Sequence, residues 1–471
     1  MSQLFAPDRL RRRSIAQHLR LYRIIYACIV AAFAVSANAR TRPHYGGVLR
    51  VDIDGDPLQK SNGIAWRLLL DGLTRIDSDG VIRPALAARW ASEDSDHRWQ
   101  FWLRPAVSFH NGHPVNALAV VTSLEGSCRA TACPWTAVRV LGQSVVFTGD
   151  NPMPDLPALL ARNEFLIRQS QQSSDIGESQ VIGTGPFRFK DATTNSLHLE
   201  ANDDCWQGRP FVDAIEVVSH RATRDQWMDL SLGNADLAEV HPSDIRQARQ
   251  QRLNVVVTPS VILLALEVQN ADLAPQLRAA LAFAVDRAAL HQVIFQKQGE
   301  VTASMLPATL SGYSFLFPVE RDLNRAQALR GGLIPPPLTL TFDGTGAMQL
   351  AAERLALNLH DAGFTVRVIP PPANTNIPPH ADLVLRSLPV SDGTPGETLN
   401  ELLRSLGSNT PLALKNAAGT YKAERDFLDR HALIPLLFLP RAWALGSRIR
   451  DLSFTSEGIP DLASLSLESA Q

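Results

Sequence analysis

Several things are missing from this chain, and each absence removes a class of protein. After the first forty residues no apolar run is long enough to span a bilayer; the most apolar one, Ala432–Pro440, is interrupted by Pro435. No unit of about 20–50 residues repeats, so solenoids and propellers are excluded. The patterns Gly-x-Ser-x-Gly, His-Glu-x-x-His and Ser-x-x-Lys are absent, and with them the recognisable frames of serine and zinc hydrolases. Paired carboxylates such as Asp203-Asp204 carry no catalytic spacing. Cysteine is scarce, at four residues in 471. What is present is ordinary globular composition, 45% hydrophobic and 20% charged, in a length that suits two or three packed domains.

The first segment reads as an export signal. Arg9, Arg11, Arg12, Arg13, Arg20 and Arg23 form a basic leader, the apolar stretch Ile24–Val35 follows, and Ala37-Asn38-Ala39 supplies a cleavage site, so residues 1–39 are expected to be removed. Twelve apolar residues would cross only about 18 Å of a roughly 30 Å hydrocarbon core. Two variants stay open: a twin-arginine signal at Arg12-Arg13-Ser14-Ile15 and a lipid-anchored form through Cys28, the latter disfavoured by bulky Tyr26 and by the position of Cys28 inside the apolar run. Loss of six arginines and Asp8 takes the net charge from −2 to −7. A mildly acidic exported protein is not shaped for nucleic acid or anionic lipid.

Of the three cysteines left, Cys128 and Cys133 are close enough in CRATAC to close a small disulfide loop outside the cytoplasm. The alternative is a pair of free thiols in a loop. Cys205 is then expected as a buried thiol.

Local patterns are those of a mixed α/β chain. Val48–Ile53 and Trp99–Leu103 alternate as strands, Trp66–Leu73 is a short apolar helix, and Asn111-Gly112 reverses the chain before Asn116 caps a helix with Ala117, Val120, Val121 and Leu124 inward. Val181–Lys190 and Leu197–Glu200 read as strands around Gly183-Thr184-Gly185-Pro186. Val261–Asn270 opens a second region, followed by a helix through Leu277, Leu281 and Ala284, and by another, Arg287–Phe295, capped by Asp286. Leu338–Ile369 is the clearest unit: a strand, a helix from Met348 to Ala362 ended by Gly363, and a second strand, which together make a βαβ unit with parallel strands.

In order along the chain, GGVLRV, LLLDGLTRIDSDGVIRPALAARW, WQFWLRPAVSFHNGHPVNALAVVTSLE, GTGPFRF, PFVDAIEVV, QLRAALAFAVDRAAL, LAAERLALNLHDAGFTVRVI and ALIPLLFLPRAWAL resemble the family 5 extracellular solute-binding proteins, the oligopeptide-, dipeptide- and nickel-binding subunits of ABC importers. The resemblance implies an α/β fold of the periplasmic-binding-protein type II kind, two lobes joined by a hinge with the ligand in the cleft between them. Carried over, lobe one is residues 46–260 with 431–471 returning to it, and lobe two is residues 261–430. It further implies a periplasmic monomer without cofactor or catalytic activity, a small-molecule or peptide ligand, and a membrane-embedded ABC permease as partner. A metal-chelate or other small-solute receptor of the same fold is the alternative within the family. A secreted hydrolase and a cytoplasmic regulator built on the same fold are alternatives outside it.

Relatives carry a Trp followed by an Asp of the ligand site where this chain reads SLPVSDGTPGETLN, so Asp392 stands as the acidic group for a ligand's ammonium end and Arg386 as the fork for its carboxylate. The other reading of both is a solvated loop. Asn270 and Gly185 are further ligand candidates, each with a structural alternative: a hydrogen bond for Asn270, and for GTGPF a turn between strands rather than a phosphate loop, since it lacks Lys-Ser/Thr. His110 and His113 are too few for a metal site by themselves. Trp99, Trp102 and Trp443 are core candidates of which one could line the pocket.

Overall fold

The computed structural model describes residues 44–58, 64–77, 80–129, 133–169, 181–344, 346–371, 381–391, 393–408, 412, 414, 416–455 and 457–468. The proposed export signal, including Cys28, and Asp392 lie outside them.

Two long strands organise the chain. Asn254–Val268 and Leu433–Leu445 pair antiparallel over most of their length, from Asn254 opposite Leu445 to Glu267 opposite Leu433. At one end of this ribbon, Leu433–Leu445 takes Leu237–Val240 as its other neighbour; at the opposite end, Asn254–Val268 takes Leu383–Pro389. Outward from Leu237–Val240 lie Val48–Asp52, Ala214–Val218, Ser196–Ala201 and Phe187–Ala192. Outward from Leu383–Pro389 lie Leu338–Phe342 and Val366–Val368. The ribbon therefore supplies one strand to each half of a continuous sheet.

Proline shapes the middle of the ribbon. Its register shifts between Val257 and Ser260, between Ser260 and Ile262, and between Leu264 and Ala265. Ser260 stands opposite Pro440 and Ala265 opposite Pro435, and Pro259 falls within the first shift. Proline has no N–H for the ladder, so a central strand accommodates it through irregular pairing.

Each half buries its own core. Around one end Leu264, Leu266, Leu340, Leu355 and Leu437 pack on one sheet face, with Leu263, Leu399, Leu402 and Phe438 on the other. Around the other end Leu49, Val51, Ile215 and Trp443 pack on one face, with Trp227, Ala238 and Ala444 opposite. Strands buried on both faces read as continuous apolar runs, which accounts for the composition of Leu433–Leu445.

A second, four-stranded antiparallel sheet of Ala87–Glu93, Arg98–Leu103, Ser144–Thr148 and Ala137–Leu141 packs with the helix Ala117–Cys128 around Phe101, Phe147 and Leu124. Asn116 caps that helix by accepting the Ala119 N–H at 2.9 Å, and Gly112 turns the chain at φ +82°. Cys128 and Cys133 form a disulfide at the helix end, with Cα atoms 5.5 Å apart, and Cys205 is buried and free.

Several elements differ from the sequence expectation in extent. The helix expected at Trp66–Leu73 stops at Leu69, and the strand expected from Val181 begins only at Phe187 because Gly183–Gly185 are laid against the backbone of Leu68–Leu70. The strand expected at Val261–Asn270 starts earlier, at Asn254, since its first residues serve the other half.

Candidate ligand cleft

Strand direction locates the site. Leu237–Val240 runs antiparallel to Leu433–Leu445 and so points its carboxyl end toward the middle of the ribbon, and Val48–Asp52 and Ala214–Val218 run parallel with it. In the other half Leu383–Pro389 ends opposite Ile262, again at the middle, and Leu338–Phe342 is parallel to it. Both parallel sets therefore end at the irregular stretch of the ribbon. Ligands of open α/β sheets bind outside such carboxyl ends.

The first half brings acid and one arginine to this place. Glu239 is half-buried on the last turn of its strand, and burial pushes its carboxyl up, partly offset by the nearby Arg441 charge. The Arg441 backbone is tied to Thr258: its N–H donates to Thr258 Oγ1 at 3.1 Å, and that hydroxyl lies 3.1 Å from its carbonyl. His241 follows, its Nδ1 2.8 Å from Ser243 Oγ, and burial pulls its imidazole down toward the neutral form. Its ring lies 6.2 Å from that of Phe295, a core residue of the other half.

Asp52, at its strand's end, is 4% exposed and shares a hydrogen bond with Asp229, which is also paired with Arg221. Burial, then the charge of Asp229, pushes Asp52 up to about 6.

The second half brings Arg386, Glu267 and Asp343. Arg386 Nη1 is 3.1 Å from Glu267 Oε2 and its Nε 3.9 Å from Asp343 Oδ2. Burial raises the Asp343 carboxyl, while Arg386 and the Ser387 N–H, which donates to it at 3.3 Å, pull it back. The strand runs on to Pro389, so Arg386 sits within it rather than in a solvated loop, and its side chain remains 30% exposed.

Asn270 donates Nδ2–H to Asp382 Oδ1 at 2.7 Å and accepts the Asp272 N–H at 3.0 Å, committing its amide to a turn. Gly185 donates to the Leu69 carbonyl at 3.0 Å, and its own carbonyl accepts from His110 Nε2 and Asn202 Nδ2, both at 3.1 Å. A Cβ there would lie 2.4 Å from the Leu68 carbonyl oxygen, so only glycine fits. His113 Nδ1 is 2.9 Å from Gln169 Nε2, and among the described residues no group of three metal-ligating side chains forms. Trp443 is buried, with its indole N–H donated to the Gly458 carbonyl at 3.1 Å.

One set of contacts had no signal in the sequence. Arg162 Nη2 lies 3.0 Å from Glu401 Oε2, which also accepts from Ser391 Oγ at 2.5 Å. Beside them burial, and then the charge of Glu397, pushes the Asp155 carboxyl up to about 6, against the pull of Arg162. Asp155 and Arg162 flank a short helix, Leu156–Leu159, while Glu397 and Glu401 lie on the helix Pro395–Ser405; the partners are so distant in the chain that no local pattern links them.

Residues 81–408 match the model of the bacterial extracellular solute-binding proteins, family 5. Among solved structures, the periplasmic binding protein DppA from Helicobacter pylori, in complex with the peptide STSA, superposes with a TM-score of 0.76 at 18% identity, covering 90% of this chain and 99% of that one. NikA from Staphylococcus aureus, in complex with Ni(L-His)2, gives 0.72 at 18% identity over 88% and 97%. The HTH-type transcriptional regulator SgrR of Shigella boydii is 31% identical over 177 residues, 36% of this chain and only 31% of that protein's own length. The structural likenesses give the fold as that of type II periplasmic binding proteins, two α/β lobes with a hinge and a cleft between them. With the family model matched over most of its length, this chain belongs to the family 5 bacterial extracellular solute-binding proteins.

Proposed function

We propose that this protein is the substrate-binding subunit of an ABC importer, capturing a peptide or similar small solute between its lobes and handing it to a membrane permease. The observation that carries this reading is the convergence of both parallel strand sets on the proline-broken middle of the ribbon. Such a middle bends while each core stays intact, and a solute that contacts both lobes shifts the population toward the closed form. In this reading lobe one is residues 46–260 with 431–471, lobe two is residues 261–430, and residues 1–39 are the export signal. No described helix is long and apolar enough to cross a membrane. The disulfide Cys128–Cys133 favours an oxidising compartment, hence the exported receptor over a cytoplasmic regulator of the same fold.

Arg386 is the group assigned to a solute carboxylate. Glu267 and Asp343 hold two edges of its guanidinium, which leaves further N–H donors and an exposed face for a ligand. Asp392 is assigned to the ammonium end. Native mass spectrometry of the protein purified from the periplasm identifies what copurifies; a solute of fixed mass is expected, and its consistent absence would count against the receptor reading. Calorimetry with that solute then compares wild type, Arg386→Gln and Asp392→Asn. Each variant is expected to lose roughly 1.5–3 kcal/mol of binding, about ten- to a hundred-fold, if the charge contact is buried on closure. Unchanged affinity in both would leave the fold reading standing and remove these two residues from the site.

A further inference from the structure

Away from the ribbon, two segments far apart in the chain touch through charge. Leu156, Leu159, Leu160 and Phe165 root the segment that carries Arg162 in the core of the antiparallel sheet. Leu399, Leu402 and Leu403 root the helix Pro395–Ser405, which carries Glu401, in a separate core. Between them Arg162 Nη2 lies 3.0 Å from Glu401 Oε2. Among the described residues this is the only ion pair between residues 46–260 and residues 261–430, so a single substitution removes it.

Glu401 has a second partner, nearer the cleft. The same oxygen accepts from Ser391 Oγ at 2.5 Å, and the Ser391 carbonyl accepts from Thr398 Oγ1 at 3.0 Å, so the helix grips Ser391 from two positions. Ser391 lies just past the strand Leu383–Pro389, at the carboxyl end that meets the middle of the ribbon, on the strand that carries Arg386. One carboxylate therefore links Arg162 to the end of the strand beside which a solute would be held. The contact is not saturated. Asn163, next to Arg162, buries Oδ1, and Arg404, one turn from Glu401, buries Nη1, and neither atom has a hydrogen-bond partner among the described residues. Unmet polar atoms weigh against a joint, which leaves the ion pair a small net advantage.

We propose that Arg162 and Glu401 form a latch that holds the lobes closed, and that Glu401 is the positioning residue through which the latch acts on Ser391 at the cleft end of the Arg386 strand. The inference rests on the reading of the chain as a receptor that works by closing. Opening returns the guanidinium and the carboxylate to water, and neither apolar core has to break. Both side chains stay partly exposed, 19% and 29%, so a pair of this kind changes the closed-to-open ratio by about fivefold or less. A weak pair suits a contact that must release. The coupling runs both ways: a solute that steadies the segment at Ser391 presents Glu401 to Arg162, and the formed pair steadies that segment around the solute.

The test needs no solute. Spin labels on Leu118→Cys and Leu357→Cys, exposed helix positions within residues 46–260 and 261–430, report the distance between the two lobes of this reading in the purified protein, and buried Cys205 stays unlabelled. A shorter and a longer distance are expected. Arg162→Gln and Glu401→Gln should each lower the short-to-long ratio by about two- to fivefold. The double variant should fall no further than either single one, because a charge without its partner has nothing left to lose. Arg162→Lys restores the charge and should return the ratio toward the original, which keeps the test valid should Glu401→Gln fold poorly. Raising sodium chloride to about 1 M should lower the ratio in the unsubstituted latch and leave the double variant unchanged. Distances that neither substitution moves, shifts that add in the double variant, or a lysine that restores nothing would each overturn the proposal. Failure of the receptor reading shows elsewhere, as the absence of a copurifying solute in native mass spectrometry, and leaves this comparison of distances intact.

Discussion

The ribbon and the Arg162–Glu401 contact both join distant segments of the chain, yet they are built from opposite materials. Along Leu433–Leu445 all but the last residue are buried, and the backbone ladder is shared with both lobes. In the second the joining groups are ionisable, and water can replace each contact they make. Separating the first would expose apolar surface, while separating the second costs less.

Large-to-small substitution in the ribbon gives the largest expected effect. Leu437 is fully buried, and Leu437→Ala should cost about 2–5 kcal/mol in chemical denaturation. A loss of similar size from Glu401→Gln would break the distinction between the two connections.

A buried carboxyl sharpens it: Asp52 lies at the end of the strand Val48–Asp52, where burial ties its charge to the folded state. Asp52 is raised to about 6 in the folded chain, so its contribution to stability is present at low pH and lost as pH rises through 6. Asp52→Asn is accordingly expected to raise the melting temperature at pH 8 and to change it little at pH 5. A melting temperature that fell equally at both values would refute this linkage.

The smallest effect on stability belongs to Arg162→Ala. A partly exposed ion pair contributes about 1 kcal/mol or less, so the denaturation midpoint should barely move. A cooperative loss of several kcal/mol would mean that this contact holds the fold together as the ribbon does.

Periodicity and caps made much of the fold legible beforehand. Leu338–Ile369 shows it best: the observed strands are Leu338–Phe342 and Val366–Val368, with the helix Ala347–Asp361 between them. Asn116 and Asp286 cap where their positions before apolar runs indicated, because capping is decided within three residues. The ribbon was only half legible. Ala432–Pro440 stood out as an apolar run, but periodicity could not say that Asn254–Val257 would pair with its continuation, Ala442–Leu445, and so extend one strand into both lobes. Arg386 was singled out as a site residue with no hint of Glu267 as its partner, and the Arg162–Glu401 contact left no trace at all. Pairings between distant segments are made by tertiary packing, which a window along the chain does not sample.

The place of Leu433–Leu445 in the chain has a consequence for biosynthesis. This strand lies inside the sheet and is flanked by Leu237–Val240 and Asn254–Val268, yet it is made after every other described strand of that sheet. Until it emerges, both flanking strands keep an open edge, and neither lobe can complete its ladder. The same arrangement makes truncation costly: a chain ending before residue 433 retains most of both cores but leaves two unpaired edges, the form that aggregates or is degraded rather than one that folds by halves.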